Sequence, residues 1–398
     1  MSAIITDQLR ILNAKSFVSA ATSSSNSYYA FVGLPNANDY SSTWDVTPPA
    51  PKDNFDQEND YWDTMIALKK IGEDDVKQVV RKVTWQSGTT YDMYRHDISR
   101  TNTSKPSGAT SLYSANYYVV NSDYRVYICL QNGTSPENPE GRPSLDEPTF
   151  VDLEPRSAGT SGDGYLWKYL YTIKPSDIIK FDSINFIPVP KNWETSTENA
   201  SVRNNAATSG QLKIVTVTNR GVGLGTANRT YTRVPIKGDG SGAECTITVN
   251  NDSKVESVVI SKGGSGYTYG TIDIAAGNVP TGSTSPVFNV IIPPQGGHGA
   301  DIYRELGAYN VIVYSRIEND IGDPDFIVGN KIARIGIIEN PEAFNSTSVL
   351  TIQKASSLYA LKLRESSSSI PANIIFTQTI TGVGTAVGRV VSYDNETG

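Results

Sequence analysis

One stretch constrains the fold more than any other: Gly162-Asp163-Gly164-Tyr165-Leu166-Trp167-Lys168-Tyr169-Leu170-Tyr171-Thr172-Ile173-Lys174-Pro175. Read with period two, Tyr165, Trp167, Tyr169, Tyr171 and Ile173 share one face. Leu166, Lys168, Leu170, Thr172 and Lys174 share the other. Aromatic enrichment with alternation predicts a strand rather than a helix. Gly162-Asp163-Gly164 is a turn signal ahead of it, and Pro175 ends it. Several rings on one side of one strand need a large surface opposite. A second sheet of the same chain or a neighbouring chain would supply it, and a core strand of a β-sandwich is the plainer reading.

Composition extends that reading to the whole chain, which is expected to be mainly β. Its 398 residues leave room for two or three domains with their own cores. Charged residues make up 19%, below the roughly 25% usual for soluble domains. The 22 tyrosines, set among Gly, Ser, Thr and Asn, point to many short strands joined by turns. A net charge of −7 without a basic block argues against nucleic acid as a partner. No run approaches the length of a membrane span, and the N-terminus lacks a signal-peptide pattern. Cys129 and Cys245 sit in separate strand-like runs and read as two free buried thiols. Triplets such as Asn132-Gly133-Thr134 read as turn composition.

In chain order, Asp7 to Leu12 gives a weak helix signal, followed by a polar tract read as an exposed arm. Tyr28 to Gly33 predicts a strand. Leu34 to Asp60, with Trp44 and Pro48-Pro49-Ala50-Pro51, is too proline-rich for regular structure. Asp60 to Leu68 predicts a short helix with Asp60 near its cap. Glu73-Asp74-Asp75 opens either a helix through Val83 or a strand ending at Trp85. Tyr117 to Val120 and Arg125 to Leu130 predict two strands around the turn residues Asn121-Ser122-Asp123. Residues 131–161 form a long polar loop, of a length that is usually functional or mobile. A short helix is expected after Ser176. Residues 194–210 hold almost no hydrophobes and read as a linker, the clearest boundary in the chain.

Beyond it, Leu212 to Val249 and Val255 to Ile292 read as two copies of one unit. Each runs from a strand into a glycine cluster, Gly221 to Gly225 or Gly263 to Gly266, and on into further strands. After Pro293-Pro294 a short helix is expected at Asp301 to Leu306. Strands are expected at Tyr309 to Ser315, Ile332 to Ile338, Leu358 to Leu363, Ile374 to Thr379 and Gly388 to Tyr393. The last runs into Asp394 to Gly398, hairpin chemistry without a return strand, so either the chain continues or a partner supplies that strand. The expected organisation is a multi-domain β-sandwich subunit with a few short helices. Residues 1–115 and 300–398 form a core domain, 116–206 a second β domain with the aromatic strand 164–174, and 207–299 an inserted glycine-rich all-β module.

Candidate chemistry is sparse. His96 and His298 have no cysteine, histidine or carboxylate at metal-ligand spacing. No Gly-x-Ser-x-Gly elbow precedes a helix. Gly263-Gly264-Ser265-Gly266 lacks the Lys-Ser/Thr of a phosphate loop, and Gly221 to Gly225 lacks the helix of a dinucleotide fingerprint. Asp163, or Asp146 with Glu147, are carboxylates a glycosidase would use, but such pairs are recognised only by their separation. Asp320 to Asp325 lacks EF-hand spacing and reads as a turn. No catalytic residue, metal or cofactor is expected.

The ordered motifs resemble the baseplate wedge proteins, of the gene-eight type, of T-even-like contractile-tailed bacteriophages. The strongest match is Gly162, Asp163, Gly164, Tyr165, Leu166, Trp167, Lys168, Tyr169 and Leu170, with the Ile173-Lys174-Pro175 ending. Upstream, Ser16-Phe17, Phe31-Val32-Gly33, Trp44, Pro48, Pro49, Trp62 to Met65, Trp85 and Val126 to Leu130 fall in the family's order. Downstream, Ile187 to Pro190 and the run Gly329-Asn330-Lys331 through Asn340-Pro341 match as well. The matches span about 15–193 and 301–345; the repeats at 211–292 and the tail after 345 depart from the shorter members. The resemblance implies a mostly-β structural subunit, not an enzyme, that forms a homodimer in the tail baseplate. Other wedge proteins would assemble on it in the host cytoplasm. A carbohydrate-binding tail module is the alternative, motivated by the glycine-rich repeats and exposed tyrosines, with a glycosidase third.

Overall fold

The computed structural model describes residues 5–23, 26–34, 43, 46–48, 50, 61, 64–206, 208–316, 332–342, 347–349, 370–371, 373–382, 384–390 and 393. The chain is mainly β, built from several small antiparallel sheets with few helices.

α1 (Asp7–Ala21) starts where expected but runs on through Ala21. Its apolar residues occupy two faces: Ile11 and Ala14 are buried, whereas Leu9 and Leu12 are exposed. That split blurs the one-sided periodicity by which a surface helix is recognised. β1 (Tyr28–Gly33) is the expected strand. β2 (Met65–Lys70) replaces the helix read over Asp60 to Leu68, whose cap Asp60 lies outside the described residues. Pairing with β1, from Tyr29 opposite Lys70 to Gly33 opposite Met65, decides what a short apolar run leaves open. Glu73–Asp75 form one 3-10 turn, and β3 (Val76–Arg81) follows as the strand alternative, buried on both faces.

β4 (Tyr118–Val120) and β5 (Arg125–Asn132) form the expected hairpin. Asn121 holds the turn: its Oδ1 accepts the Asp123 and Arg125 amides at 3.0 and 2.8 Å, and its Nδ2 donates to Pro148 O at 2.9 Å. β6 (Tyr165–Thr172) is the aromatic strand, followed by α2 (Pro175–Phe181) and β7 (Phe186–Pro188). α3 (Ala200–Asn205) lies inside the segment read as a linker. There Trp193, just upstream, and Val202 are buried in the main core, so a polar stretch is pinned by two apolar anchors.

β8 (Ile214–Asn219), β9 (Arg229–Gly238), β10 (Ser241–Val249), β11 (Val255–Ser265), β12 (Gly270–Ile272) and β13 (Val287–Ile291) build the glycine-rich module. α4 (Ile302–Leu306) is capped by Asp301, whose carboxylate accepts the Tyr303 and Arg304 amides at 3.0 and 3.2 Å. β14 (Asn310–Val313), β15 (Arg334–Glu339), β16 (Ile375–Ile380) and β17 (Gly384–Arg389) complete the chain. β17 begins before the strand read at Gly388 to Tyr393, and β16 is its antiparallel partner. The strand read at Leu358 to Leu363 and the turn at Asp394 to Gly398 lie outside the described residues.

Two compact units result: Met1–Val18 with Lys77–Ile312, and Ser19–Val76 with Val313–Gly398. The second holds the sheet β15-β1-β2 and the hairpin β16-β17. The first holds β4-β5-β6, β14-β3-β7, β11-β10-β9-β12 and β13-β8. It has two hydrophobic clusters, one around the aromatic strand and one confined to 212–292.

The module's pairings bear the mark of its duplication. Taking β8, β9, β10 as one copy and β11, β12, β13 as the other, first pairs with third (β8 with β13, β11 with β10) and second with second (β9 with β12). Exchanging the copies leaves these three cross-copy pairings unchanged, whereas β9 also pairs with β10 inside the first copy and β12 does not pair with β13, so the exchange is only partly symmetric. Leu212 N donates to Gly263 O and Val255 N to Arg220 O, which ties both ends of β11 beside β8.

A bidentate pair joins this module to the long loop: Arg220 Nε and Nη2 donate to Glu137 at 2.6 and 2.8 Å. The guanidinium holds the Glu137 carboxyl down at about 2, against an ordinary 4.5. A depressed carboxylate contributes its stability above its unfolded pKa and loses it as pH falls through the folded one. The strut is therefore expected to weaken between pH 4.5 and about 2. Because Glu137 is more than half exposed, a double-mutant cycle of Glu137→Gln with Arg220→Gln should give a coupling under ~1 kcal/mol at pH 7, vanishing at the acid end.

Candidate functional site

The Gly-Asp-Gly turn and the strand it launches bring the motif's polar and aromatic side chains into one bonded constellation. Gly164 has φ +89°, and a Cβ there would lie 2.8 Å from the Cα of Gly133. Gly133, at φ +72°, faces the Asp163 carbonyl equally closely. The two loops cross through their backbones, which only glycine permits. Asp163 is buried; its Oδ1 accepts the Tyr165 amide at 3.0 Å and its Oδ2 the Leu145 amide at 2.9 Å. Tyr165 OH donates to Arg142 O at 2.7 Å and accepts from Tyr91 N at 2.9 Å. Gly164→Ala should therefore destabilise the fold by at least about 1–3 kcal/mol. Urea unfolding of that variant against Gly162→Ala, where a Cβ meets nothing within 4 Å, isolates the crossing from the shared positive φ. Equal losses at the two glycines would refute it.

Along β6 the expected alternation holds for Tyr165 and Trp167, whose rings stack at 5.3 Å and 15°. The Trp167 backbone is paired on both edges, to Cys129 of β5 and to Arg156. Register shifts then leave Leu130 and Leu170 without opposite partners. The bulge at Leu170 brings Leu170 and Tyr171 both into the core, while Tyr169 is half-buried and shares a hydrogen bond with Thr172 Oγ1. Lys168, read on the face opposite the rings, is also buried.

The other motif residues fall in separate places. In the first unit, half-buried Trp85 donates from Nε1 to Ser144 Oγ at 3.1 Å. In the second, Phe31 lies buried on β1 opposite Gly336 and Leu68. Asn340, with φ +46°, brackets Ser27: its Oδ1 and its amide pair with Ser27 N and O, both at 2.7 Å. Pro341 beside it is buried, and Pro48 is exposed. Trp44, Pro49, Trp62, Gly329 and Asn330 lie outside the described residues, as does Asp320 to Asp325.

The carboxylates considered for hydrolysis are occupied by the backbone. Besides Asp163, Asp146 Oδ2 accepts the Ser161 amide at 2.8 Å and Glu147 Oε1 the Ser122 amide at 2.8 Å. Among the described residues no three His, Cys, Asp or Glu side chains group as metal ligands. Both cysteines are free and buried. Of the module's tyrosines, Tyr231 and Tyr267 belong to its core and Tyr269 is exposed.

Sequence reasoning missed a buried polar cluster where the module joins the main core. His298 Nδ1 lies 2.6 Å from Glu305 Oε1, and Glu305 Oε2 accepts the Gly299 amide at 2.7 Å. Tyr94 sets its ring edge-on to His298 at 4.7 Å, and burial beside Glu305 pushes its phenol up. Next to them Lys168 Nζ donates to Leu153 O at 2.6 Å and to Asn205 Oδ1 at 2.7 Å. Asn205 Nδ2 donates in turn to Glu154 Oε1 at 2.8 Å, whose Oε2 takes Lys213 at 3.0 Å. A cavity of about 20 Å³, the size of one water molecule, opens between Lys168, Asn205, Lys213 and His298. Of the sequence readings, the short helix expected at Asp301 to Leu306 bears on it, since it carries Glu305 within reach of the connector that holds His298. No family model matches the chain, and no curated protein matches it.

Proposed function

We propose that this chain is a structural subunit of a contractile-tail baseplate wedge, acting as a homodimer on which other wedge proteins assemble. The observation that carries the reading is the ordered motif set, above all Gly162 to Tyr171. The chemistry of that element supports an architectural role. Asp163, Tyr165 and Trp167 direct their contacts to backbone and core, and their polar groups are not presented to solvent as a catalytic set. Abundant tyrosine suits a protein whose work is contact with other proteins.

Negative-stain imaging of virions with an antibody to this chain tests the proposal directly. Label at the distal end of the tail is the expected result, and label elsewhere overturns it. Sedimentation of the purified chain is expected to report a dimer, and cross-linking of intact particles should recover neighbouring baseplate proteins.

A further inference from the structure

We propose that Lys168 and Asn205 form an intramolecular isopeptide bond, an autocatalytic cross-link between the aromatic strand and α3. Three side chains stand in the order that such a reaction needs. Lys168 Nζ lies 2.7 Å from Asn205 Oδ1, so its nitrogen is already against the amide whose carbon it would attack. Asn205 Nδ2, the leaving nitrogen, lies 2.8 Å from Glu154 Oε1. Lys168 is only 4% exposed, held in place by Leu153 O and by the strand that carries it. Burial also draws its ammonium below the usual lysine range, which favours the neutral amine that acts as nucleophile.

The step balances without any co-reactant. Neutral Lys168 Nζ adds to Asn205 Cγ, forming the N–C bond and placing negative charge on Oδ1. One Nζ proton passes through the Glu154 carboxylate to Nδ2. The Cγ–Nδ2 bond then breaks, the carbonyl re-forms, and Nδ2 leaves as ammonia. The adjoining small cavity, lined by Lys168, Asn205 and His298, gives that molecule a place to go. The product ties the aromatic core strand to the connector of the glycine-rich module, the segment that composition alone reads as a linker.

Intact-mass measurement of the full-length folded chain, followed by tryptic mapping, tests this. A mass lower by one ammonia is expected, with no cleavage after Lys168 and a branched peptide joining Ser157–Lys180 to Asn204–Lys213. Asn205→Ala should restore cleavage at Lys168 and abolish the branched species. Glu154→Gln, at an exposed position that folding tolerates, should slow its appearance by at least tenfold after refolding. A full-length mass with complete cleavage at Lys168 overturns the proposal. So does loss of ammonia without the branched peptide, which would place the change at a succinimide such as Asn132-Gly133. Unchanged kinetics in Glu154→Gln would overturn the proton relay.

Discussion

Trp167→Ala is expected to lower the unfolding free energy by about 3–5 kcal/mol, the range for emptying the site of a large buried aromatic. Trp167 is fully buried, stacked on Tyr165 and set edge-on to Tyr91 at 5.9 Å. Its neighbours belong to elements joined by backbone bridges on both sides of β6, so the walls cannot collapse into the space left behind. Stability of a whole domain is about 5–15 kcal/mol, so this one change removes a large part of it. Trp167→Phe should cost distinctly less. It keeps a ring over Tyr165 and deletes the indole Nε1–H, which is buried without a hydrogen-bond partner. Urea melts of the two variants supply the measurement. A Trp167→Ala protein that melts like the parent but no longer associates would mean that the residue is a subunit contact and not a core residue.

Sequence reasoning found this element because aromatic alternation is a local property of the strand. The Asn121 turn and the short helix at Asp301 to Leu306 were readable for the same reason, since each is fixed by residues within a few positions of it. What escaped was set by partners distant in the chain. Met65 to Leu68 became a strand because β1 was available to pair with it. The bulge at Leu170 depends on the register against β5 and has no signature of its own in Tyr169-Leu170-Tyr171. Residues 194–210 look like a linker by composition, yet Trp193 Nε1 bonds Gly299 O and Ala300 O, both at 3.0 Å, and Val202 enters the core. Two apolar anchors in a polar stretch hardly alter its mean hydropathy. The duplication of the module was visible, whereas the exchange of strands between its copies was not, because a repeat does not say with which copy each strand pairs.

The same junction sets the second large effect. His298→Ala should destabilise the protein by about 1–3 kcal/mol, because it leaves Glu305 Oε1 buried without its partner, with only the Gly299 amide bonded to the other oxygen. The double variant His298→Ala/Glu305→Ala should cost less than the sum of the two single changes, since the stranded polar group goes with its partner. This bears on where the module can be cut out. Its connectors run side by side: a Cβ on Gly297 would collide with the Ala206 carbonyl, and Gly296 N bonds Ser209 Oγ at 3.4 Å. The module also has a core of its own. Ile214 and Ile291 of the module also pack in the main core, so joining the connectors through a short Gly/Ser linker removes those two side chains in either excision and leaves the rest of that core in place. Replacing 207–298 removes His298 along with the module, whereas replacing 210–295 keeps it against Glu305. The shorter excision is expected to yield a cooperatively melting protein, and the longer one to melt several degrees lower. Calorimetry on the pair decides the matter. Coincident melting temperatures would mean that the His298–Glu305 contact is dispensable, and that Trp193 and Val202 alone anchor the junction.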